Sequence, residues 1–234
     1  MDPSTPILFH DIASGPPVTT YAPNLWKARC VFHSKTEWVE HPEITSTRKK
    51  LGCPPVRWHR DCTPFYTLPI IDDPSTGKLV GDDFEIARYL DAVYPSGPRR
   101  IPPFTTALHR ALNIHVGEIF ILCGHGPPFN PETAEQSKAE FVRLTGVSSW
   151  DDITLHGAAR TKQLAEFKGA LGGTSISYAD MIIGAWLQLL KASLAEWDEV
   201  RTWQNSRWGR VLQALDKYAE VKEINWRNVA DVVV

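Results

Sequence analysis

The segment YAPNLWKARC, residues 21–30, gathers side chains able to handle an anion. Pro23 and Asn24 suit the first turn of a helix, because proline is pre-organised for the opening helical position. Trp26, Lys27, Arg29 and Cys30 continue at helical spacing. The unpaired N–H groups of a helix start can hold an anion. For a thiolate or carboxylate, a Ser, Cys or Tyr is expected at the helix mouth, yet position 22 is Ala. The donors left nearby are the Asn24 amide, the Tyr21 phenol and the hydroxyls of Thr19 and Thr20. Asn24 ranks first, since it lies on the first helical turn. Its plainer role is a hydrogen bond to its own backbone, and Tyr21 reads first as a packed loop aromatic.

The elements that must position this segment follow from pattern. ILFHDI (7–12) is a β-prone run ending at the turn signal ASGPP, and a helix is expected from about Asn24 to His33. EWVE (37–40) reads as a second strand and EITSTRKKLG as a short helix ending at Gly52. YTLPII (66–71) reads as a strand carrying a proline, which a strand accepts only at an edge, a start or a bend. DDPSTGK is a turn, LVG pairs back across it, and DFEIARYLDAVY is an amphipathic helix stopping before Pro95. The order β-α-β-α-β-β-α, with a parallel unit and then a hairpin, is that of a thioredoxin-like fold.

After the Pro-rich stretch 95–104 the pattern turns helical, with no strand signal before the final VADVVV. The expected organisation is a thioredoxin-like domain over 1–94, a linker over 95–104 and an all-helical bundle over 105–234. The fold class is thus α/β followed by all-α.

Bulk composition narrows the function. Hydrophobic residues are 43% and charged residues 22% of 234, ordinary for a packed globule. A net charge of −2 offers no reason to expect nucleic acid or anionic lipid. Arg48-Lys49-Lys50 and Arg99-Arg100 are the short basic runs, read here as solvated faces. Nothing approaches the roughly 20 apolar residues of a membrane span, and MDPSTPILFHDI lacks the pattern of a signal peptide. Cys30, Cys53, Cys62 and Cys123 show no metal-ligand spacing, and the eight histidines form no H-x-x-x-H pair. A cytoplasmic, metal-free protein with free thiols is expected.

Two motifs carry a resemblance. TLPII followed by GDDFEIARYLD places a proline where a cis peptide would turn Leu68 toward a peptide-like ligand, as though pairing an extra strand. GTSISYADMIIGAWL contains Ser177-Tyr178-Ala179-Asp180, a capping box. In this order and spacing the chain resembles the cytosolic glutathione transferases over nearly its whole length. ILFHDI, GPPVTTYAPNLWKAR, EWVEHPEI and YTLPIIDDPSTG look most like the fungal class related to bacterial lignin β-etherases.

The resemblance implies glutathione as cofactor and a homodimer as the assembly. Its members open the first helix with Ser or Cys followed by Pro-x-x-Trp, and that residue bonds the glutathione sulfur; the matching position is Ala22. A Cys-dependent thiol exchange is therefore not expected. A free thiol, with pKa about 8.5, is only about 3% ionised at neutral pH. Half ionisation requires roughly 2 kcal/mol of selective thiolate stabilisation. A helix start supplies up to about 1–2 kcal/mol, and each donor to a charged acceptor about 1.5–3 kcal/mol. Asn24, Tyr21 and Thr20 are the catalytic candidates.

By the same resemblance Leu68 and Pro69 hold the peptide portion of glutathione. An acidic residue followed by Ser holds the γ-glutamyl end in the family, and here the pair is Asp82-Asp83. Asp82 can accept from the glutamyl ammonium, whereas a second carboxylate repels the glutamyl carboxylate unless Asp83 serves as a helix cap and offers only its N–H. Lys49, with Arg57 and His59 as alternatives, lies where a cation could meet the glycyl carboxylate, although each reads first as solvent-exposed. Thr19, Ile119, Phe120 and Cys123 would line the pocket for a hydrophobic electrophile, with core packing the plainer reading of any one of them. Two functions stay open: a glutathione-dependent enzyme acting by conjugation, ether cleavage or reversible addition with cis-trans isomerisation, and a non-catalytic ligand-binding or assembly protein.

Overall fold

The computed structural model describes residues 6–29, 35–59, 61–96, 99–120, 127–168 and 178–219. Strand β1 (Leu8–Ile12) is buried from Phe9 to Ile12, as befits a strand with partners on both edges. It runs parallel to β2 (Lys35–Val39), Leu8 facing Lys35 and Ile12 facing Val39. On its other edge it is antiparallel to β5 (Ile70–Asp73), which pairs antiparallel with β6 (Lys78–Gly81). The sheet order is β2-β1-β5-β6. Helices α1 (Pro23–Arg29), α2 (Ile44–Lys50) and α3 (Asp83–Val93) complete this thioredoxin-like half.

Local differences from the expected boundaries have identifiable causes. The strand expected at 66–71 occupies Ile70–Asp73, starting just past Pro69, which has no N–H to give to a ladder; the Leu68–Pro69 peptide is cis. The loop before it contains a two-residue hairpin, β3 (Arg57–Trp58) with β4 (Pro64–Phe65), too short for periodicity to reveal. Of the helix expected to His33, residues 30–33 lie outside the described residues, as do Ser177 of the capping box and the tail VADVVV.

The second half is helical: α4 (Thr106–Phe120), α5 (Ala134–Thr145), α6 (Gly157–Lys168), α7 (Tyr178–Ser193), a short α8 (Trp197–Val200) and α9 (Trp203–Ala219). Helix α7 buries Tyr178, Ile182, Ile183, Leu187 and Leu190, so its apolar residues face inward on nearly every side. Each fully buried Leu or Ile contributes roughly 1.5–3 kcal/mol. Gly184 admits α9, for a Cβ there would collide with Leu215. Helix α7 also packs on α1, and one continuous core runs from Phe9 and Leu25 through Ile182 and Leu187 to Trp208.

The β5–β6 hairpin is stapled to α3 by one carboxylate. Asp73 Oδ2 accepts from the hydroxyls of Tyr89 and Tyr94, each at 2.6 Å, while Oδ1 accepts from the Ser75 amide and hydroxyl at 2.9 and 2.7 Å. Burial by itself would raise this carboxyl, but these donors outweigh it and hold Asp73 below the usual range. The C-terminal end of α3 is thereby fixed against the hairpin.

Candidate functional site

The loop from Ser14 to Ala22 is tied to β1 by buried polar groups. Asp11, fully buried, accepts from Thr20 Oγ1 at 2.5 Å and from Arg29 Nη2 and Nε at 2.5 and 3.0 Å. The Thr20 hydroxyl hydrogen is thus spent on Asp11. Thr19 Oγ1 donates to the Thr20 carbonyl at 3.0 Å, and the Thr19 amide donates to Ser14 Oγ at 2.9 Å. These two threonines shape the loop rather than extend donors beyond it.

Tyr21 is buried and meets Phe129 edge-on, with ring centroids 6.2 Å apart. Burial, together with the charges of Asp11 and Glu40, raises its phenol above the ordinary value, so it stays protonated. Phe129 comes from the segment between α4 and α5, which docks on the N-terminal half. There Gly15 N donates to the Pro128 carbonyl at 3.1 Å, and Glu40 accepts from Asn130 Nδ2 and Thr133 Oγ1, both at 3.0 Å. Phe141, Trp150 and His41 extend this aromatic wall.

At the start of α1 the Ala22 carbonyl accepts from the amides of Leu25 and Trp26 at 3.1 and 3.2 Å. Asn24 Oδ1 accepts from Lys27 Nζ at 2.8 Å, which leaves the Asn24 NH2 with no acceptor among the described residues. Lys27 is only 2% exposed. It also donates to Asn113 Oδ1 at 2.7 Å and lies 3.3 Å from Asp83 Oδ2.

The Asp82-Asp83 pair divides its work in the opposite sense to the expected cap. Asp82, not Asp83, caps α3: at φ 86° its Oδ1 accepts from the Phe84 and Glu85 amides at 3.0 and 3.2 Å. Its other oxygen meets no donor among the described residues. Burial and the neighbouring Asp83 charge push the Asp82 carboxyl up to about 6. Asp83 is buried and turned toward the helical half, where its Oδ2 accepts from Asn113 Nδ2 at 3.2 Å and from the Tyr178 hydroxyl at 3.1 Å. Lys27 compensates this second carboxylate.

The Asp82 amide donates to the Pro69 carbonyl at 3.2 Å, joining the cap to the cis turn. The Leu68 carbonyl accepts from Thr67 Oγ1 at 3.2 Å, and its N–H meets no acceptor among the described residues. Arg48 was expected on a solvated face but is 2% exposed. It donates to the Pro54 carbonyl at 2.8 Å and to the Thr67 carbonyl, and its guanidinium lies where a Cβ on Gly81 would sit. A three-residue basic run carries no information on which of its members turns inward.

Asn24, Leu68, Pro69, Asp82 and Asp83 are therefore linked through named contacts. Lys49 is not among them: it is exposed, with Nζ 5.4 Å from the Tyr66 ring centroid. Arg57 and His59 instead pack against Phe65 of the small hairpin. Ile119 and Phe120 stand on the last turn of α4, with side chains outside the described residues, and Cys123 lies outside them altogether. Sequence reasoning passed over Lys27, Asn113 and Tyr178 as partners; the one legible signal was the i,i+3 spacing of Asn24 and Lys27. No group of acidic, His or Cys side chains among the described residues could hold a metal, and none of their helices is long and apolar enough to cross a membrane.

Residues 145–218 match the sequence family described as glutathione S-transferase, C-terminal domain. No curated protein matches the chain. A glutathione S-transferase of Ceriporiopsis subvermispora, solved in complex with glutathione, is 32% identical with a TM-score of 0.79, over 94% of this chain and 100% of that one. Glutathione transferase GSTFuA2 from Phanerochaete chrysosporium is 26% identical with a TM-score of 0.77, over 93% of this chain and 100% of that one. A second Ceriporiopsis subvermispora glutathione S-transferase, also in complex with glutathione, is 26% identical with a TM-score of 0.76, over 91% of this chain and 99% of that one.

Proposed function

The chain belongs to the glutathione S-transferase family, and from that premise we propose that it binds glutathione and directs the thiolate at a hydrophobic electrophile. The observation that carries this reading is the chain of contacts Asn24–Lys27–Asp83, with Asp82 next in sequence bonded to Pro69. It joins an unspent amide donor near Ala22 to a carboxylate and a cis turn fit for the peptide portion of the ligand. Asn24 Nδ2 is the donor to the sulfur, with the protonated Tyr21 phenol as its companion. The Leu68 N–H meets the peptide backbone, and the uncapped oxygen of Asp82 accepts from the glutamyl ammonium.

In conjugation or ether cleavage the sulfur lone pair forms a C–S bond while the bond to the leaving group breaks, and the leaving group departs with the electron pair. In isomerisation the thiolate adds to a conjugated alkene, a bond rotates, and the thiolate is expelled unchanged. Both require the same activated nucleophile. The aromatic wall of Phe129, Phe141 and Trp150 beside Tyr21 supports an apolar second substrate. The likeness to glutathione transferases of Ceriporiopsis subvermispora and Phanerochaete chrysosporium is the ground for placing the chain in the fungal class related to lignin β-etherases; a role in fungal secondary metabolism and a cytoplasmic homodimer complete the proposal.

The test is calorimetric titration of glutathione into wild type and Asn24→Ala, with ultraviolet difference spectra reporting bound thiolate. Binding with a thiolate band that Asn24→Ala abolishes supports the reading. Absence of binding at millimolar glutathione sinks the enzyme and leaves a ligand carrier in the same fold.

The Asp82 carboxyl adds a pH signature. With its folded value about 6, it accepts from the ligand ammonium at pH 7 and is mostly neutral at pH 5. Glutathione affinity is expected to fall as pH drops through that window, approaching about tenfold at one unit below the midpoint. Asp82→Asn should bind weakly at every pH and show a flat profile by calorimetry.

A further inference from the structure

We infer that Lys27 is a positioning residue: it forces the Asn24 carboxamide to present its NH2 outward and couples that orientation to Asp83. The inference rests on the reading of Asn24 as the donor to the glutathione sulfur. An ammonium has three donors and no acceptor. The Asn24 atom 2.8 Å from Nζ must therefore be Oδ1, and the same holds for the Asn113 atom at 2.7 Å. The third direction faces Asp83 Oδ2 at 3.3 Å, and the Trp186 ring centroid lies 5.9 Å away.

The rest of the cluster agrees with this assignment independently. With Asn113 Oδ1 turned to Lys27, its Nδ2 meets Asp83 Oδ2 at 3.2 Å, and that oxygen also takes the Tyr178 hydroxyl at 3.1 Å. Flipping either amide would set an NH2 against a buried ammonium that has no acceptor to offer it. Lys27 is 2% exposed. Asn24 is therefore locked as a donor before any ligand arrives, which is the arrangement that electrostatic stabilisation of an anion requires. Asn113 stands on α4 and Tyr178 on α7, so the helical half sets the aim of a side chain on α1. Lys27 acts on the sulfur without touching it.

The test is the pKa of the bound glutathione thiol, read from the thiolate ultraviolet band against pH in wild type, Lys27→Met, Asn24→Ala and the double variant. Lys27→Met is expected to raise that pKa by about one to two units, the worth of one hydrogen bond to a charged acceptor. The double variant should be no higher than Asn24→Ala alone, since one residue works through the other. A lone Lys27→Met leaves Asp83 buried and uncompensated, so Lys27→Met/Asp83→Asn serves if the single variant does not fold. Asn24→Asp gains an ion pair with Lys27, keeps the shape and exchanges the outward NH2 for a carboxylate oxygen. It should raise the thiol pKa at least as far as Asn24→Ala. If Asn24→Ala raises the pKa while both Lys27 variants keep the wild-type value, the inference fails and the reading of Asn24 stands. Equal shifts from Lys27→Met with and without Asn24 overturn it in the same way. A silent Asn24→Ala overturns both.

Discussion

Arg29→Met is expected to destabilise the protein by about 3–5 kcal/mol, the usual cost of removing one partner from a buried ion pair. For a chain of this size that is a fall in melting temperature on the order of 10 °C. Arg29 places two donors on Asp11 Oδ2 and stacks on Phe9 and Trp38, with its guanidinium carbon 5.1 and 5.4 Å from their ring centroids. Methionine can keep part of that packing but none of the charge. Burial already pushes the Asp11 carboxyl upward, and Arg29 is the largest influence drawing it back. In the variant, with Thr20 and the Ile12 amide as its remaining donors, the folded state holds a proton on Asp11 more tightly than the unfolded chain does. A carboxyl raised on folding contributes stability that is lost as pH rises, so the variant should recover stability as pH falls from 7 toward 5. Thermal melts at both values read this directly. A melting temperature unchanged at neutral pH would show that the pair contributes nothing to the fold. Arg29→Met/Asp11→Leu, which removes both charges, should melt above the single variant.

The same residues show what the sequence could and could not disclose. ILFHDI marks β1 because a strand buried on both faces reads as a nearly continuous apolar run, but the run does not say that Asp11 inside it closes a buried pair with a helix residue. The order of strands and helices in the first half is legible because each element carries its own period and stop signals. The β3–β4 hairpin is not, since two residues per strand hold no period. Asp82 and Asp83 are equivalent as letters; the φ of 86° at Asp82 and a lysine on another helix decide which one caps and which one turns inward. Lys27 meets Asn113 across 86 positions and Tyr178 meets Asp83 across 95. Pairings of that span are set by the docking of α1, α3, α4 and α7, which no local pattern encodes. Asn24 could be nominated from its place on the first turn, while its orientation could not.

Arg48→Met is expected to weaken glutathione binding by at least about tenfold and to lower stability by about 2–5 kcal/mol, because it leaves two inward-facing carbonyls without their donor. The guanidinium donates to Pro54 and Thr67 and packs against Gly81. Thr67 immediately precedes the Leu68–Pro69 cis turn, and Gly81 immediately precedes Asp82. One side chain from α2 therefore braces both segments that the proposed function assigns to the peptide and glutamyl portions of the ligand. Arg48→Lys keeps the charge but replaces a planar fork with a single point of donors, so it should restore little of the lost affinity. Gly81→Ala attacks the same joint from the other side, forcing the guanidinium away from Thr67, and should reproduce the binding defect without changing any charge. Calorimetry at pH 7 with melts on the same samples separates the two effects. Loss of stability with the dissociation constant unchanged would make Arg48 a brace for the fold alone. Matching losses of affinity in Arg48→Met and Gly81→Ala would tie the geometry of the Pro69 turn and the Asp82 cap to this one buried cation.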